Sequence, residues 1–233
     1  MTNAVTPETN AETLESLSLN RYQLRFSKTN DLAWIGHQDL MRILERLLRR
    51  ACIPVALSQG FNPRPKVNFV QALGLGIVAH REVLEIELNQ PMSATDLLNQ
   101  LNLVSPPGLQ FLEVIPLTTR KSGLAAKIIY TFEKDIPEQR RETTSLAMEE
   151  FLNATEFQIT RKRDKQTASI NLRPLVDQLD WTESGRLRMS LNVTQQATAR
   201  PEEVLTMLGL SDLYTLGSLL RHDVILLEQQ YKR

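Results

Sequence analysis

Residues 21–51 read RYQLRFSKTNDLAWIGHQDLMRILERLLRRA, a strand pattern followed by a helix pattern. Apolar and polar residues alternate over residues 22–27, which is typical of a strand with one buried face. Farther along, apolar residues recur at the spacing of an amphipathic helix that follows Gly36 and ends before Pro54: Leu40, Ile43, Leu44, Leu47, Leu48 and Ala51. This strand and helix decide the fold prediction.

The pattern continues outward from this pair. We predict a strand near residues 67–72, another over 84–88, a helix over 94–102 that begins after Ser93, and a strand over 109–115. The order is strand, helix, strand, strand, helix, strand, which is the ferredoxin-like plan. Right-handed crossovers place both helices of such a unit on one face of an antiparallel sheet.

A second unit of the same type is predicted after a linker over residues 117–125. Its elements are strands over 128–132, 187–194 and 223–228, a hairpin over 156–163 and 167–172, and helices over 137–153 and 201–208. In the first of these helices the inward residues are predicted to be Leu146, Met148, Phe151 and Leu152.

We therefore predict an α+β protein with two ferredoxin-like domains in tandem, over residues 21–116 and 126–233. Each domain is expected to have its own antiparallel sheet with helices on one face. Residues 1–20 are polar and contain three acids but no Lys or Arg, so we expect a disordered tail.

Composition excludes several classes of function. Lys plus Arg is 27 and Asp plus Glu is 27, so a uniformly basic surface is excluded and any nucleic-acid interface must be a local patch. One cysteine, Cys52, which we predict to be in the core, excludes a disulfide framework, a cysteine-built zinc site and a cysteine-ligated iron–sulfur cluster within this chain alone. We expect no cofactor, no metal, no membrane segment and a cytoplasmic location.

The helix after Gly36 has a basic stripe as well as an apolar one. Arg42, Arg46 and Arg49 are spaced i, i+4 and i+7, with Arg50 beside them. Like charges at this spacing repel, so helix stability does not explain the stripe, whereas guanidinium groups suit phosphate oxygens. Residues 21–70 contain nine basic residues and three acids, a local charge of +6. The alternative is a solvated face whose arginines pair with acids from other segments.

A Gly- and Pro-rich loop over residues 58–66 adds an aromatic side chain and two cations. It contains Gly60, Phe61, Asn62, Arg64 and Lys66, together with two prolines at positions 63 and 65. Such a loop could stack a base on Phe61 and hold a phosphate, and a rigid connector with Phe61 in the core is the alternative. A sheet-face RNA reader is disfavoured, because the outward strand residues Gln23, Arg25, Glu85 and Glu87 predict cross-strand ion pairs instead of an aromatic platform.

His37 is a weak catalytic candidate. It precedes the apolar run of the helix and could act as a general acid or base in RNA cleavage, although a structural, hydrogen-bonded histidine is the commoner role. His80 and His222 show no spacing typical of metal ligands.

Several blocks of the sequence resemble the radical-SAM-linked family, a domain of unknown function: residues 22–28, 36–42, 58–66, 172–174 and 199–205, together with Arg221. The resemblance adds Arg173 and Arg200 to the candidate binding residues. Members of that family are C-terminal extensions or separately encoded neighbours of cobalamin-binding radical SAM proteins, so the resemblance implies a partner and no reaction. The family pattern has Asp before Leu-Arg-Pro, where this chain has Asn171, which argues against a catalytic carboxylate at this position.

The function expected from these patterns is a non-catalytic accessory module of a radical SAM enzyme that binds RNA or presents substrate through its basic face. The RNA would be a tRNA or rRNA. Two alternatives stay open: a metal-independent endoribonuclease similar in plan to CRISPR repeat-processing nucleases, and a purely protein-docking module.

Overall fold

The computed structural model of the protein describes residues 20–119, 121–163 and 166–227, and all of their side chains except those of residues 163 and 166. It is a mixed α+β protein with one large, mostly antiparallel sheet and four α-helices within those ranges. The tail predicted over residues 1–20 lies outside the described residues except for Asn20.

The first half has the predicted order of elements. These are β1 (Arg21–Lys28), α1 (His37–Arg50), β2 (Val67–Phe69), β3 (Ile77–Glu87), α2 (Ala94–Val104) and β4 (Leu109–Pro116). The main difference is that β3 begins at Ile77, well before the predicted strand over 84–88, whereas β2 is short.

The second half contains one strand that the prediction missed. Its elements are β5 (Ala125–Phe132), α3 (Glu138–Asn153), β6 (Gln158–Arg163), β7 (Gln166–Asn171), β8 (Val176–Trp181), β9 (Leu187–Asn192), α4 (Pro201–Met207) and β10 (Leu219–Leu226). The missed strand is β8. A register shift between Val176 and Gln178 gives buried residues three positions apart, at Val176 and Leu179, so the usual alternation of a strand is lost.

The two halves share one sheet, with strand order β4-β1-β3-β10-β5-β9-β8. Separate sheets were predicted, and that prediction is wrong. The cause is the length of β3: its last residues, Leu84–Ile86, pair with β2, and its first residues, Ile77–Ala79, pair in parallel with β10. An unpaired strand edge is unfavourable, and β10 covers the part of β3 that β2 leaves open.

Strand order is the same in both halves. In the first half it is β4-β1-β3-β2, and in the second it is β10-β5-β9-β8, with neighbours antiparallel within each half. The hairpin of β6 and β7 forms a separate two-stranded sheet between α3 and β8.

Helices pack over each half to give two main cores. The first core combines apolar residues of α1 and α2 with those of β1, β3 and β4, and the second combines α3 and α4 with β5, β8, β9 and β10. In α3 the buried residues are Thr144, Met148 and Phe151. The prediction that Leu146 faces inward is wrong: it is 60% exposed, because it lies more than half a turn from Met148 around the helix.

Cys52 is exposed, which corrects its predicted place in the core. The cause is the end of α1. Cys52 has φ of +51° and donates its N–H to Arg49 O, while Ile53 donates to Leu48 O. These two hydrogen bonds form a Schellman ending, in which the left-handed residue turns its side chain away from the helix and Ile53 enters the core.

Candidate nucleic-acid interface

Helix α1 separates its apolar and basic residues onto opposite sides. Its buried residues are Leu40, Leu44, Leu47 and Leu48, which pack into the first core. The four arginines of the helix are all exposed: Arg42, Arg46, Arg49 and Arg50. The 3.6-residue period of the helix produces this arrangement, so the core side of α1 determines where the arginines point. We call these four residues the arginine stripe.

Few acids neutralise the arginine stripe. Arg42 pairs with Asp39 at 2.7 Å, but the two side chains are 65% and 58% exposed, so the pair contributes little. Arg49 donates from Nε to Glu45 O at 3.3 Å. Across the part of the chain that the structure describes, Arg46, Arg49 and Arg50 form no ion pair. The alternative, in which acids from other segments pair with these residues, is therefore not observed there.

Most of the other arginines in the described ranges form an ion pair with a carboxylate. Those with an ion pair are Arg21, Arg25, Arg81, Arg140, Arg161, Arg186, Arg188 and Arg221. Among the described residues, Arg46, Arg49 and Arg50 of the arginine stripe are thus a local concentration of guanidinium groups without a carboxylate partner, in a chain whose net charge is zero.

The loop after α1 is held at its base and exposed at its tip. Ser58 N–H donates to Arg64 O at 2.8 Å and Arg64 N–H donates to Ser58 Oγ at 3.0 Å. Phe61 lies between them and is fully exposed, so the alternative that it lies in the core is wrong. Gly60 has φ of +132°, a conformation that side chains rarely adopt, which explains glycine at this turn.

The polar residues of this loop differ in whether they form an ion pair. Asn62 and Arg64 are exposed, and Arg64 has no ion pair with any residue in the described ranges. Lys66 pairs with Glu87 at 2.8 Å, and this ties the end of the loop to β3. The loop therefore presents one aromatic ring and one unpaired guanidinium.

His37 is the first residue of α1 and is half-buried. Its ring meets the edge of Phe69, with centroids 4.9 Å apart and planes at 74°. Nδ1 is buried and has no hydrogen-bond partner in the described structure. This packing favours a structural role.

Arg173 and Arg200 lie in the second half and are not part of the arginine stripe. Arg173 donates from Nε and Nη2 to Leu152 O, at 3.1 and 2.9 Å, and from Nη1 to Val176 O at 2.7 Å. Its guanidinium thus joins the end of α3 to β8. Arg200 precedes α4, its backbone N–H donates to Glu203 Oε2 at 2.9 Å, and its side chain is exposed.

The sheet surface around β1 and β3 carries ion pairs, although with different partners from those predicted. Glu85 accepts from Arg21 at 2.7 Å and from the backbone N–H of Gly123 at 2.6 Å, so the linker covers this carboxylate. Arg25 pairs with Asp223 at 2.6 Å. This sheet surface therefore carries ion pairs where a sheet-face RNA reader would have exposed aromatic rings.

A buried ionic cluster, which the sequence patterns did not predict, lies where the halves meet. Arg221 forms two hydrogen bonds with Glu82, at 2.5 and 2.6 Å, and a third with Tyr130 Oη at 3.3 Å. Lys28, also buried, donates to Ile35 O at 3.1 Å. The alternation of the strands could have predicted this burial. Lys28 lies two positions after the buried Phe26, and Glu82 lies two positions before the buried Leu84, so each shares the inward face of its strand.

Burial shifts the pKa values of this cluster. Burial is the larger effect on Glu82 and raises the pKa of its carboxyl, and the adjacent Arg221 opposes that shift. Burial lowers the pKa of Lys28 to about 8. Since these groups are shielded from solvent, we assign the cluster to the stability of the sheet.

Residues 20–119, 121–163 and 166–227 contain neither a metal-binding cluster nor a membrane-spanning helix. No group of three or more His, Cys, Asp and Glu side chains there could hold a metal ion. No helix in those ranges has both the length and the apolar character to cross a membrane.

Comparison with known proteins gives one family. The family model described as "Uncharacterized protein conserved in bacteria (DUF2344)" matches residues 21–201. No curated protein matches the chain. A similar solved structure is "Crystal Structure of a Cbf5-Nop10-Gar1 Complex", at 12% identity and a TM-score of 0.43, covering 88% of this chain. The match covers 49% of that other chain, so this chain spans about half its length.

Proposed function

The chain belongs to this family of uncharacterized bacterial proteins, and within that family we propose that it is a non-catalytic accessory module that binds RNA through a basic face. The basic face consists of the arginine stripe of α1 and the loop tip with Phe61 and Arg64. The observation that carries the proposal is the lack of ion pairs for Arg46, Arg49, Arg50 and Arg64 among the described residues.

Unpaired guanidinium groups at helical spacing suit a phosphate backbone. Each guanidinium presents planar N–H donors that match phosphate oxygens, and each phosphate contact releases counterions. Charge repulsion along α1 is slightly unfavourable in the free protein, and bound phosphates would relieve it. The exposed ring of Phe61 adds a stacking surface for an unpaired base.

We also infer that each half is a ferredoxin-like unit and that the two units lie in tandem along one sheet. The support is the strand order, β4-β1-β3-β2 in one half and β10-β5-β9-β8 in the other, with a helix after the first and third sheet strands of each. The β6–β7 hairpin is an insertion in the second unit.

The proposed partner is a cobalamin-binding radical SAM protein, either fused to this chain or separate. This part of the proposal comes from the resemblance of the sequence blocks to the radical-SAM-linked family. Because Cys52 is the single cysteine, this chain would contribute substrate binding to such an enzyme, and the enzyme would hold the cysteine-ligated cluster. The bound RNA would be a tRNA or rRNA that the enzyme modifies.

The test compares two triple variants with equal loss of charge. One is Arg46→Ala, Arg49→Ala, Arg50→Ala. The matched control is Lys121→Ala, Lys134→Ala, Lys162→Ala, because these three lysines are exposed and form no ion pair within the described part of the chain. Binding of a tRNA transcript and of a single-stranded RNA is measured by fluorescence anisotropy over a range of salt concentrations.

If the arginines contact phosphates, the arginine variant lowers the slope of log affinity against log salt by nearly three units for duplex RNA, or about two for single strands. The lysine variant keeps the wild-type slope. Both variants should unfold near the wild-type temperature, because exposed charges contribute less than ~0.5 kcal/mol each. Equal losses in the two variants would refute a localised site. Wild-type RNA binding by the arginine variant, together with lost association with the enzyme, would instead support protein docking.

A further inference from the structure

The β6–β7 hairpin has one face on the second core. Ile159 and Ile170 pack partly buried against that core. Arg161 donates from Nε and Nη2 to the two oxygens of Glu203, at 2.7 and 2.6 Å, and both side chains are mostly buried. The hairpin is therefore held against the β9–α4 region without being hydrogen-bonded into the large sheet.

The outer edge of β7 has unpaired backbone groups. Leu172 N–H donates to Phe157 O at 2.7 Å, and in antiparallel register this makes Ile170 and Ala168 the residues that bond to β6. The N–H and C=O groups of Thr167, Ser169 and Asn171 then point away from β6. None of them bonds to another backbone group in the described ranges.

A groove of about 650 Å³ runs along this edge. One side consists of residues 168–171 of β7 together with Arg161 of β6, and the other consists of Pro174, Leu175, Thr194, Gln196 and Ala197. Side chains of a strand alternate between its two faces, so four consecutive residues border one groove only where the groove follows the strand edge. The unpaired groups of Ser169 and Asn171 therefore face the groove, whose size is in the usual range for binding sites.

We propose that this groove binds an extended peptide segment of a partner protein, which adds to β7 as a third strand. A row of alternating donors and acceptors is complementary to another strand and to few other ligands. Leu175, Pro174 and Ala197 on the facing wall select apolar side chains at the inward positions of the peptide. We expect these inward peptide side chains to be uncharged as well as apolar. The guanidinium of Arg161 in the groove lining is already paired with Glu203, so it needs no acidic residue from the peptide. This site is separate from the basic face and does not depend on it.

The experiment uses the full chain and a random-peptide library displayed on phage. Enriched peptides are synthesised, and their affinities are measured by fluorescence anisotropy against wild type, Ser169→Pro and Thr160→Pro. Ser169 and Thr160 are direct partners across the hairpin, and the N–H of each points outward, one at either edge. Proline removes that outward donor, a change that strand edges tolerate, and at residue 169 it also removes the hydroxyl that donates to Gln158 Oε1 at 3.0 Å.

We expect peptides with alternating apolar residues to be enriched, and Ser169→Pro to weaken their binding about tenfold or more. Thr160→Pro should bind them as wild type does. In wild type, the amides of Thr167 and Asn171 should exchange rapidly with deuterium when free and become protected with peptide. A peptide N-methylated at alternate backbone nitrogens should lose binding, a readout that holds even if Ser169→Pro fails to fold.

Three results would overturn the proposal. They are the absence of any enriched binding peptide, equal binding by wild type and a folded Ser169→Pro, and protection of the Thr167 and Asn171 amides in the free chain. The last result would mean that the edge is already covered by the chain's own terminal residues or by a second copy.

Discussion

Arg221 and Glu82 join the two halves of the sheet through a buried, two-pronged ion pair, with Nε–Oε1 at 2.5 Å and Nη2–Oε2 at 2.6 Å. Their side chains are 2% and 1% exposed. Glu82 belongs to β3 of the first half and Arg221 to β10 of the second. Arg221 also donates to Ala72 O and Tyr130 Oη, so the guanidinium is bonded on several sides.

Glu82→Gln should destabilise the protein strongly. It leaves the buried guanidinium of Arg221 without a carboxylate, and breaking such a pair costs about 3–5 kcal/mol. Glu87→Gln is the control, since its pair with Lys66 is about 40% exposed on both sides and is worth less than ~1 kcal/mol. Denaturant unfolding measures both. Equal, small losses would show that the Arg221 pair does not hold the halves together.

Lys28→Met should change how stability depends on pH. Burial lowers the pKa of Lys28 from 10.5 to about 8 in the folded chain. Between pH 8 and 10.5 the unfolded chain therefore binds more protons at this residue, so the stability of wild type rises relative to the variant, by roughly 3 kcal/mol at most. Just below pH 8 the difference between the two should level off, because Lys28 is then protonated in both the folded and the unfolded chain. Unfolding in denaturant across this pH range measures it, and a difference that is flat above pH 8 would contradict the shifted pKa.

Phe61→Ala should weaken binding of single-stranded RNA and leave stability unchanged. The ring is fully exposed in the free protein, so its removal loses no packing, whereas a stacked base contributes about 1–3 kcal/mol. Leu103→Ala, which removes another side chain that is 85% exposed, is the control and should bind RNA as wild type does. Anisotropy titrations decide the comparison. If Phe61→Ala keeps wild-type affinity, Phe61 is not a stacking surface.

His37→Ala should leave RNA affinity unchanged, because the ring is half-buried against Phe69. It should cost about 1 kcal/mol of stability through the lost aromatic contact. With a labelled RNA in EDTA, neither protein should produce cleavage products. Cleavage by wild type that His37→Ala abolishes would instead favour the alternative of a metal-independent endoribonuclease.

Local sequence was sufficient to predict many elements and the exposed side of the arginine stripe, but it left open whether Phe61 is exposed. The helical period over residues 37–50 places four leucines in the core and therefore turns Arg46 and Arg49 outward. Prediction failed where local spacing was irregular, as at the register shift in β8, or where a helix ending turned a side chain outward, as at Cys52. Nothing in the local pattern marked the free edge of β7, since every strand has the same backbone groups.

The sequence by itself determined most of the strands and helices, β8 excepted, and which side of α1 is basic, because periodicity along a short stretch decides both. Only the tertiary structure decided that the two halves share a sheet and that Arg221 is buried beside Glu82. Those contacts join residues 139 positions apart. They depend on the unequal lengths of β2 and β3, which leave an open edge for β10, and on the complementarity of two charges that meet only after both halves have folded.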